Sequence, residues 1–308
     1  MAARTLKLIV FPGGFNLPIW SGLDQGFFAG EGLELDIQLT TSSKQQLAGM
    51  IHGEYDIAMT GIDNVVAYME GQGEAEIHAA PDLFTFMGGD DAFLSLVTVG
   101  DVETFEDLRG RTLSVDAMTT GFAFVLREIV ARSGLAEGDV SYLGVGGVME
   151  RWEALKNGDQ AGTLLLTPFD VIGEAIGLNV LARARDHLPA YQGVIGAARR
   201  AWAAENGEAL IGYIRAYRRA LAWLFDPANR AAAEAILVER VPNMTPRVAS
   251  AACDIFLDPE AGFEPSAAID WAGIETVLEL RGKYGEPRKT LADPRKYVDL
   301  TWYDQAAP

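Results

Sequence analysis

Short apolar runs that each end on a glycine-bearing turn recur along this 308-residue chain, and they constrain its fold more than any other feature. The clearest opens the chain, over residues 6–41. Leu6-Lys7-Leu8-Ile9-Val10 is the kind of run a strand buried on both faces requires. Pro12-Gly13-Gly14 then forces a turn. Asn16 stands where it can cap the next helix, and Gly26 and Gly30 where they can end it. Residues 33–39 alternate apolar and polar, as a half-exposed strand does. Strand, turn, helix, strand makes a right-handed βαβ unit, with its first turn poised over the carboxyl end of the strand.

The cycle repeats. Ser43, with Gln46 three residues on, predicts a capping box for a helix that Gly53 stops. Residues 55–59 predict a strand, 63–70 a helix and 76–86 another strand. Asp90-Asp91 is a polar break, and 93–99 suits a crossing to a second lobe. There, residues 112–115, 140–145 and 162–166 predict strands and 122–133 and 148–156 helices. Their turns fall at 118–121, Gly146-Gly147 and Thr167-Pro168. The chain is expected to recross after Asp186, because 194–197 suits the first sheet. Residues 208–225, 227–238, 245–257 and 269–283 read as helices, and 297–308 as an irregular tail. The expected fold class is α/β: two lobes, each a doubly wound, mostly parallel sheet, with a helical C-terminal block. Lobe 1 is expected to hold residues 1–91 and 192–308, and lobe 2 residues 92–191.

Composition narrows the partners. A net charge of −18 and a pI near 4.5 argue against nucleic acid and anionic membranes. Cys253 is the sole cysteine, so neither an internal disulfide nor a cysteine-rich metal site is expected; it reads as part of a packed helix face. No apolar run approaches the roughly 18 residues of a membrane helix, so direct membrane insertion is not expected. Met1-Ala2-Ala3-Arg4 leads straight into the first strand, which leaves two expectations for location. The protein is periplasmic or extracellular if an export signal has been trimmed, and cytoplasmic if Met1 is the native start.

The order of these elements resembles the type II periplasmic solute-binding proteins, and most closely the branch serving nitrate, sulfonate, taurine and thiamine-pyrimidine-precursor transporters. The residues carrying the resemblance are Gly26-Phe27-Phe28 with Glu31-Gly32-Leu33, then Gly53-Glu54-Tyr55-Asp56-Ile57, then residues 105–111. Gly121-Phe122 with Leu126 and Ser133-Gly134-Leu135 complete the set. Gly158-Asp159-Gln160-Ala161-Gly162 departs from the Gly-x-x-Asp-Ala usual there, and the iron motif of the eukaryotic pyrimidine-synthesising relatives is absent. The resemblance implies a ligand held between lobes and ABC permease subunits as partners.

The loops at the strand ends are then the candidate ligand site. They contribute Phe11, Gly13, Gly14, Phe15 and Asn16; Thr41, Ser42 and Ser43; and Thr60, Gly61, Asp63 and Asn64. From the second lobe come Asp116, Met118, Thr119, Thr120, Gly121, Phe122, Gly146, Thr167 and Phe169. Several of these loops lead into helices, whose free N–H groups and positive dipole ends suit a carboxylate, sulfonate or phosphate. The threonine and serine hydroxyls can bond an anion, while Phe15 and Phe122 can stack on a flat ligand. Cations are scarce, Lys44 and Arg151 being the nearest, and a dianion normally recruits an arginine fork. A monoanion or neutral heterocycle is therefore expected.

His52, His78 and His187 match no metal spacing, and no nucleophile elbow, P-loop, HExxH or dinucleotide fingerprint is present. No metal or cofactor is expected. The first functional expectation is a solute-binding protein for a small, partly apolar anion or heterocycle. The alternative is a cytosolic enzyme of the same fold, a decarboxylase or isomerase of a small acid, with Asp63, Asp116 and Asp170 as acid/base candidates.

Overall fold

The computed structural model describes residues 3–306. The chain opens with β1 (Arg4–Val10), α1 (Leu17–Asp24), α2 (Phe27–Gly30), β2 (Leu33–Leu39), α3 (Ser43–His52), β3 (Ile57–Gly61), α4 (Ile62–Met69) and β4 (Leu83–Gly88). It crosses to β5 (Leu94–Thr98), β6 (Thr112–Val115), α5 (Gly121–Arg132), β7 (Ser141–Gly144), α6 (Val148–Lys156), β8 (Gly162–Leu166), α7 (Phe169–Ala175), β9 (Asn179–Arg183) and α8 (Ala184–His187). It returns through β10 (Val194–Arg199) and ends in α9 (Arg200–Leu224), α10 (Arg230–Arg240), α11 (Pro246–Phe256), α12 (Trp271–Tyr284) and α13 (Thr301–Gln305).

Two five-stranded sheets result, ordered β2-β1-β3-β10-β4 and β7-β6-β8-β5-β9. In each, four strands share one direction and the fifth opposes them. The opposed strand is β10 in the first sheet, antiparallel to β3 and β4, and β5 in the second, antiparallel to β8 and β9. Topology explains both. The two crossings join the carboxyl ends of the parallel strands, so a strand arriving from the other lobe enters at that end and must run backwards. The sheets are therefore mixed, and their carboxyl ends face one another.

The apolar runs bury as their patterns demand. Leu6, Leu8, Ile9 and Val10 lie in the core, as do all five residues of β5 and of β8, whereas β7 is a largely exposed edge. Behind the first sheet α9 supplies Tyr213 and Tyr217; Tyr213 sits 5.5 Å from the Phe28 ring and 6.1 Å from that of Phe86. A smaller cluster of Val97, Trp152, Leu155 and Leu165 fills one face of the second sheet.

Several local expectations are revised. The expected strand over 76–86 shrinks to β4, because Pro81 cannot donate to a ladder and residues 72–82 form no regular element. Ser42, not Ser43, caps α3, accepting from the Gln45 amide at 3.3 Å. Gln46 is fully buried, and its amide donates to the Ile9 and Met59 carbonyls. Asn16 caps no helix, since its side chain turns back to the carbonyls of Phe11 (2.7 Å) and Gly13 (3.2 Å). The tail is ordered through α13, with Trp302 5.2 Å from the Phe84 ring. Among the described residues no helix is long and apolar enough to cross a membrane.

Candidate functional site

Where the sheets face each other lies a cavity of about 420 Å³. The first lobe contributes Phe11 and Phe15 after β1, Thr41 to Ser43 after β2, and Thr60, Gly61, Asp63 and Asn64 at the β3–α4 junction. The second contributes Asp116, Thr120, Gly121 and Phe122 between β6 and α5, and Gly146 after β7. These expected residues meet because each follows a strand whose carboxyl end points into the cleft. Four helices also begin here, two with hydroxyl caps: Ser42 on α3 and Thr120 on α5, the latter accepting from the Ala123 amide at 3.4 Å.

The lobes touch around the cavity. A Cβ added at Gly147 would come within 3.0 Å of the Thr41 carbonyl, and one at Gly121 within 2.5 Å of Asp63 Cγ. Thr119 donates its hydroxyl hydrogen to Glu74 across the gap. The two lobes are thus in direct contact at the rim of the cavity.

The other expected residues lie elsewhere, each for a local reason. A side chain at Gly13 would strike the Phe15 ring, so Gly13 makes room for that ring without reaching the cavity. Gly14 packs under Phe256 and Pro168, and Asn16 is spent on the two carbonyls already named. Met118 is an exposed loop tip. Phe169 packs against Trp152, with ring centroids 5.6 Å apart. Thr167 donates to Asp170 at 3.2 Å, and Ser95 to the same carboxylate at 3.0 Å. Thr167 and Asp170 face a larger recess of about 700 Å³ beside the crossings, which also includes Asp90 and Arg183. Asp170 therefore lies outside the cleft cavity that Asp63 and Asp116 line.

Electrostatics sort the polar wall. Arg281 of α12 grips Asp63 with both arms of its guanidinium, Nε to Oδ1 at 2.6 Å and Nη2 to Oδ2 at 2.5 Å. A carboxylate so held is a fixed acceptor, not a mobile base. Glu74 is paired with Lys44 at 3.1 Å. Asn64 donates to the Thr60 hydroxyl at 2.9 Å. Asp116 accepts from the Thr120 hydroxyl at 2.6 Å, and desolvation pushes its pKa up despite the charge of Arg151 nearby. Arg151 itself is buried, its pKa lowered by that burial; it donates to the Gly146 carbonyl (3.2 Å), the Thr163 hydroxyl (3.1 Å) and the Leu164 carbonyl. Met59, Glu150, Leu166 and Tyr191 also line the cavity. Sequence reasoning passed over these four. Leu166 and Met59 follow the strand-end rule, but Tyr191 stands in a crossing with no local pattern to expose it. Burial raises the Tyr191 hydroxyl well above its usual pKa. Among the described residues no three His, Cys, Asp or Glu side chains are grouped to hold a metal.

Two α/β lobes joined by two crossings, with a cavity at their opposed strand ends, define the periplasmic-binding-protein fold. The chain belongs to the NMT1/THI5-like family, whose model matches residues 16–231. Solved structures agree on the fold. The ligand-binding component of an ABC-type import system from Staphylococcus aureus is similar at 13% identity and TM-score 0.78, over 99% of each chain. The periplasmic nitrate-binding protein NrtA of Synechocystis PCC 6803 is similar at 12% identity and TM-score 0.78, over 99% of this chain and 88% of that one. The periplasmic aliphatic sulphonate binding protein SsuA of Escherichia coli is similar at 16% identity and TM-score 0.72, over 96% and 92%. No curated protein sequence matches the chain.

Proposed function

We propose that this protein is a solute-binding protein that closes its two lobes around a small, partly apolar monoanion or heterocycle and presents it to ABC permease subunits outside the cytoplasm. Residues 1–91 and 192–308 form one moving body and 92–191 the other, hinged at the crossings. The observation that carries the reading is the 420 Å³ cavity walled by the strand ends of both sheets, the usual place for a ligand in open α/β sheets. The ABC-type, nitrate-binding and sulphonate-binding relatives support it.

The wall sets the ligand's chemistry. Of its four carboxylates, Asp63 is neutralised by Arg281 and Glu74 by Lys44, leaving Asp116 and Glu150 beside Arg151. Among the described residues no side-chain positive charge of the wall remains free, which disfavours a dianion and leaves a monoanion to the N–H groups at the helix starts. Phe11, Phe15, Phe122 and Tyr191 favour a flat apolar body, and Asp116 favours an N–H or O–H donor on it. Titration calorimetry against aromatic carboxylates, sulfonates and aminopyrimidines is expected to find a binder near Kd 1 μM, about −8 kcal/mol, recovered unchanged. A panel without binding below about 1 mM would sink the proposal.

One observation favours a second reading. Asp116, a carboxyl of raised pKa facing the cavity, has the character of a general acid. An enzyme acting on a small acid would convert the bound compound, and Asp116→Asn would abolish that conversion while sparing binding. NMR of the incubated ligand distinguishes the two.

A further inference from the structure

Helix α12, like α11, contacts both lobes, and it alone of the two reaches the wall of the ligand cavity, through the Arg281–Asp63 pair. It packs on α4 in the first and on α5 in the second. Its first turn rests on the returning crossing: a Cβ at Gly273 would come within 2.4 Å of the Gln192 amide nitrogen, and Gln192 accepts from the Asp270 amide at 2.9 Å. Its last turns carry three side chains that grip the lobes. Arg281, only 1% exposed, holds Asp63 of the first lobe. The same guanidinium donates to the Thr119 carbonyl of the second at 3.1 Å and lies 5.0 Å from the centre of the Phe124 ring. Lys283 and Tyr284 both bond Glu128 of α5, at 2.6 and 2.8 Å, while the Arg127 guanidinium sits 4.4 Å over the Tyr284 ring.

We propose that α12 is an interlobe latch, and that Arg281 is the positioning residue through which closure reaches the ligand cavity. The inference rests on the clamp reading above. Opening must break one of two sets of bonds. If α12 stays with the first lobe, the bonds to Thr119 and Glu128 part; if it stays with the second, the Asp63 pair parts. Geometry supplies the lever arm. Gly273 touches the hinge and Arg281 lies eight residues further (281 − 273), about 12 Å along the helix at 1.5 Å per residue. A lobe rotation of about 20° then displaces the Arg281 contacts by about 4 Å, beyond hydrogen-bond reach. Because Asp63 lines the cavity and Thr119 adjoins the α5 cap, one side chain sets the position of both walls only when the lobes are shut.

The test is lobe separation without ligand. Spin labels on Asp36→Cys in β2 and Asp159→Cys after α6, both exposed, report the distance by pulsed electron resonance; Cys253 is buried and does not compete. The parent protein is expected to show a short-distance population. Arg281→Met with Asp63→Asn, which removes the grip without leaving a bare buried charge, is expected to shift that population to longer distances. Lys283→Met, at the exposed end of the latch, is expected to shift it part of the way. An unchanged distribution in variants whose circular dichroism is native would overturn the proposal. So would a parent protein that is wholly open, or a fall in melting temperature without any change in distance. Because no ligand enters the measurement, failure to find a binder refutes the function proposed above and leaves this result separate.

Discussion

Replacing Gly121 with alanine separates closure from folding. Gly121 opens α5 without a left-handed φ, so within the second lobe alanine is tolerated and even favoured in a helix. Across the cleft it is not. The new methyl would lie 2.5 Å from Cγ and 2.6 Å from Cβ of Asp63, about 1 Å inside van der Waals contact. Asp63 cannot step aside, because both its oxygens are bound by Arg281. Overpacking of this kind costs about 1–3 kcal/mol, and here only the closed form bears that cost. At 1.4 kcal/mol per tenfold, ligand affinity should fall by about 5- to 140-fold. Calorimetry with any binder from the panel gives the ratio, and a thermal melt without ligand gives the control. Unaltered affinity would refute the wedge argument. So would a melting temperature that falls in step with the affinity, since the clash would then belong to the folded state in general.

Further expectations follow the same logic. Burial raises Asp90 to about 7; a folded pKa above the unfolded one means that stability is greatest at low pH and falls as pH rises from about 4 to about 7. Asp90→Asn keeps an acceptor for the Ala92 and Val194 amides, so its urea midpoint should drop less than the parent's between pH 5 and pH 8. Glu128 behaves oppositely. Desolvation is outweighed by the bonds from Lys283, Arg132 and Tyr284, which hold it down at about 2, so its contribution is present above about pH 4.5 and lost as pH falls toward 2. Glu128→Gln should flatten that acid limb in the same unfolding assay. Arg151→Lys cannot reach the Gly146 and Leu164 carbonyls together. At about 1.5–3 kcal/mol per charged hydrogen bond it should destabilise the protein by roughly 3 kcal/mol or more, read from urea denaturation. Phe122→Ala should weaken a stacked aromatic probe several-fold while leaving the melting temperature within a few degrees.

Much of the fold was legible because its signals are local. Glycine turns after apolar runs named the strand ends, and strand ends point into the cleft, so Phe11, Thr41, Thr60, Asp116 and Gly146 could be read directly. What a loop residue does within its turn was less legible. Thr119 and Thr120 are neighbours with the same side chain, yet one spans to Glu74 and the other caps α5 against Asp116. Asn16 and Ser43 fit helix caps by spacing, but Phe11, Gly13 and Ser42 offered better partners or took the place. The pairing of Asp63 with Arg281 left no trace in the sequence. The two are separated by most of the chain, and nothing in the pattern of α12 shows that its arginine turns inward. The opposed direction of β5 and β10 likewise depends on where the crossings join, not on the residues of the strands.

That topology bears on how the molecule assembles. Gly88 at the end of β4 pairs with Ile195 near the start of β10, and Ser95 of β5 with Arg183 of β9. The whole second lobe thus occupies the place of a hairpin loop in the first. Bringing β4 and β10 together across an unfolded stretch of that length would carry a heavy closure entropy. If the intervening lobe folds beforehand, its own ends already lie side by side, and the distant pairing becomes a nearby one. Synthesis order points the same way: the inserted lobe is complete before the strand that seals its host has been made.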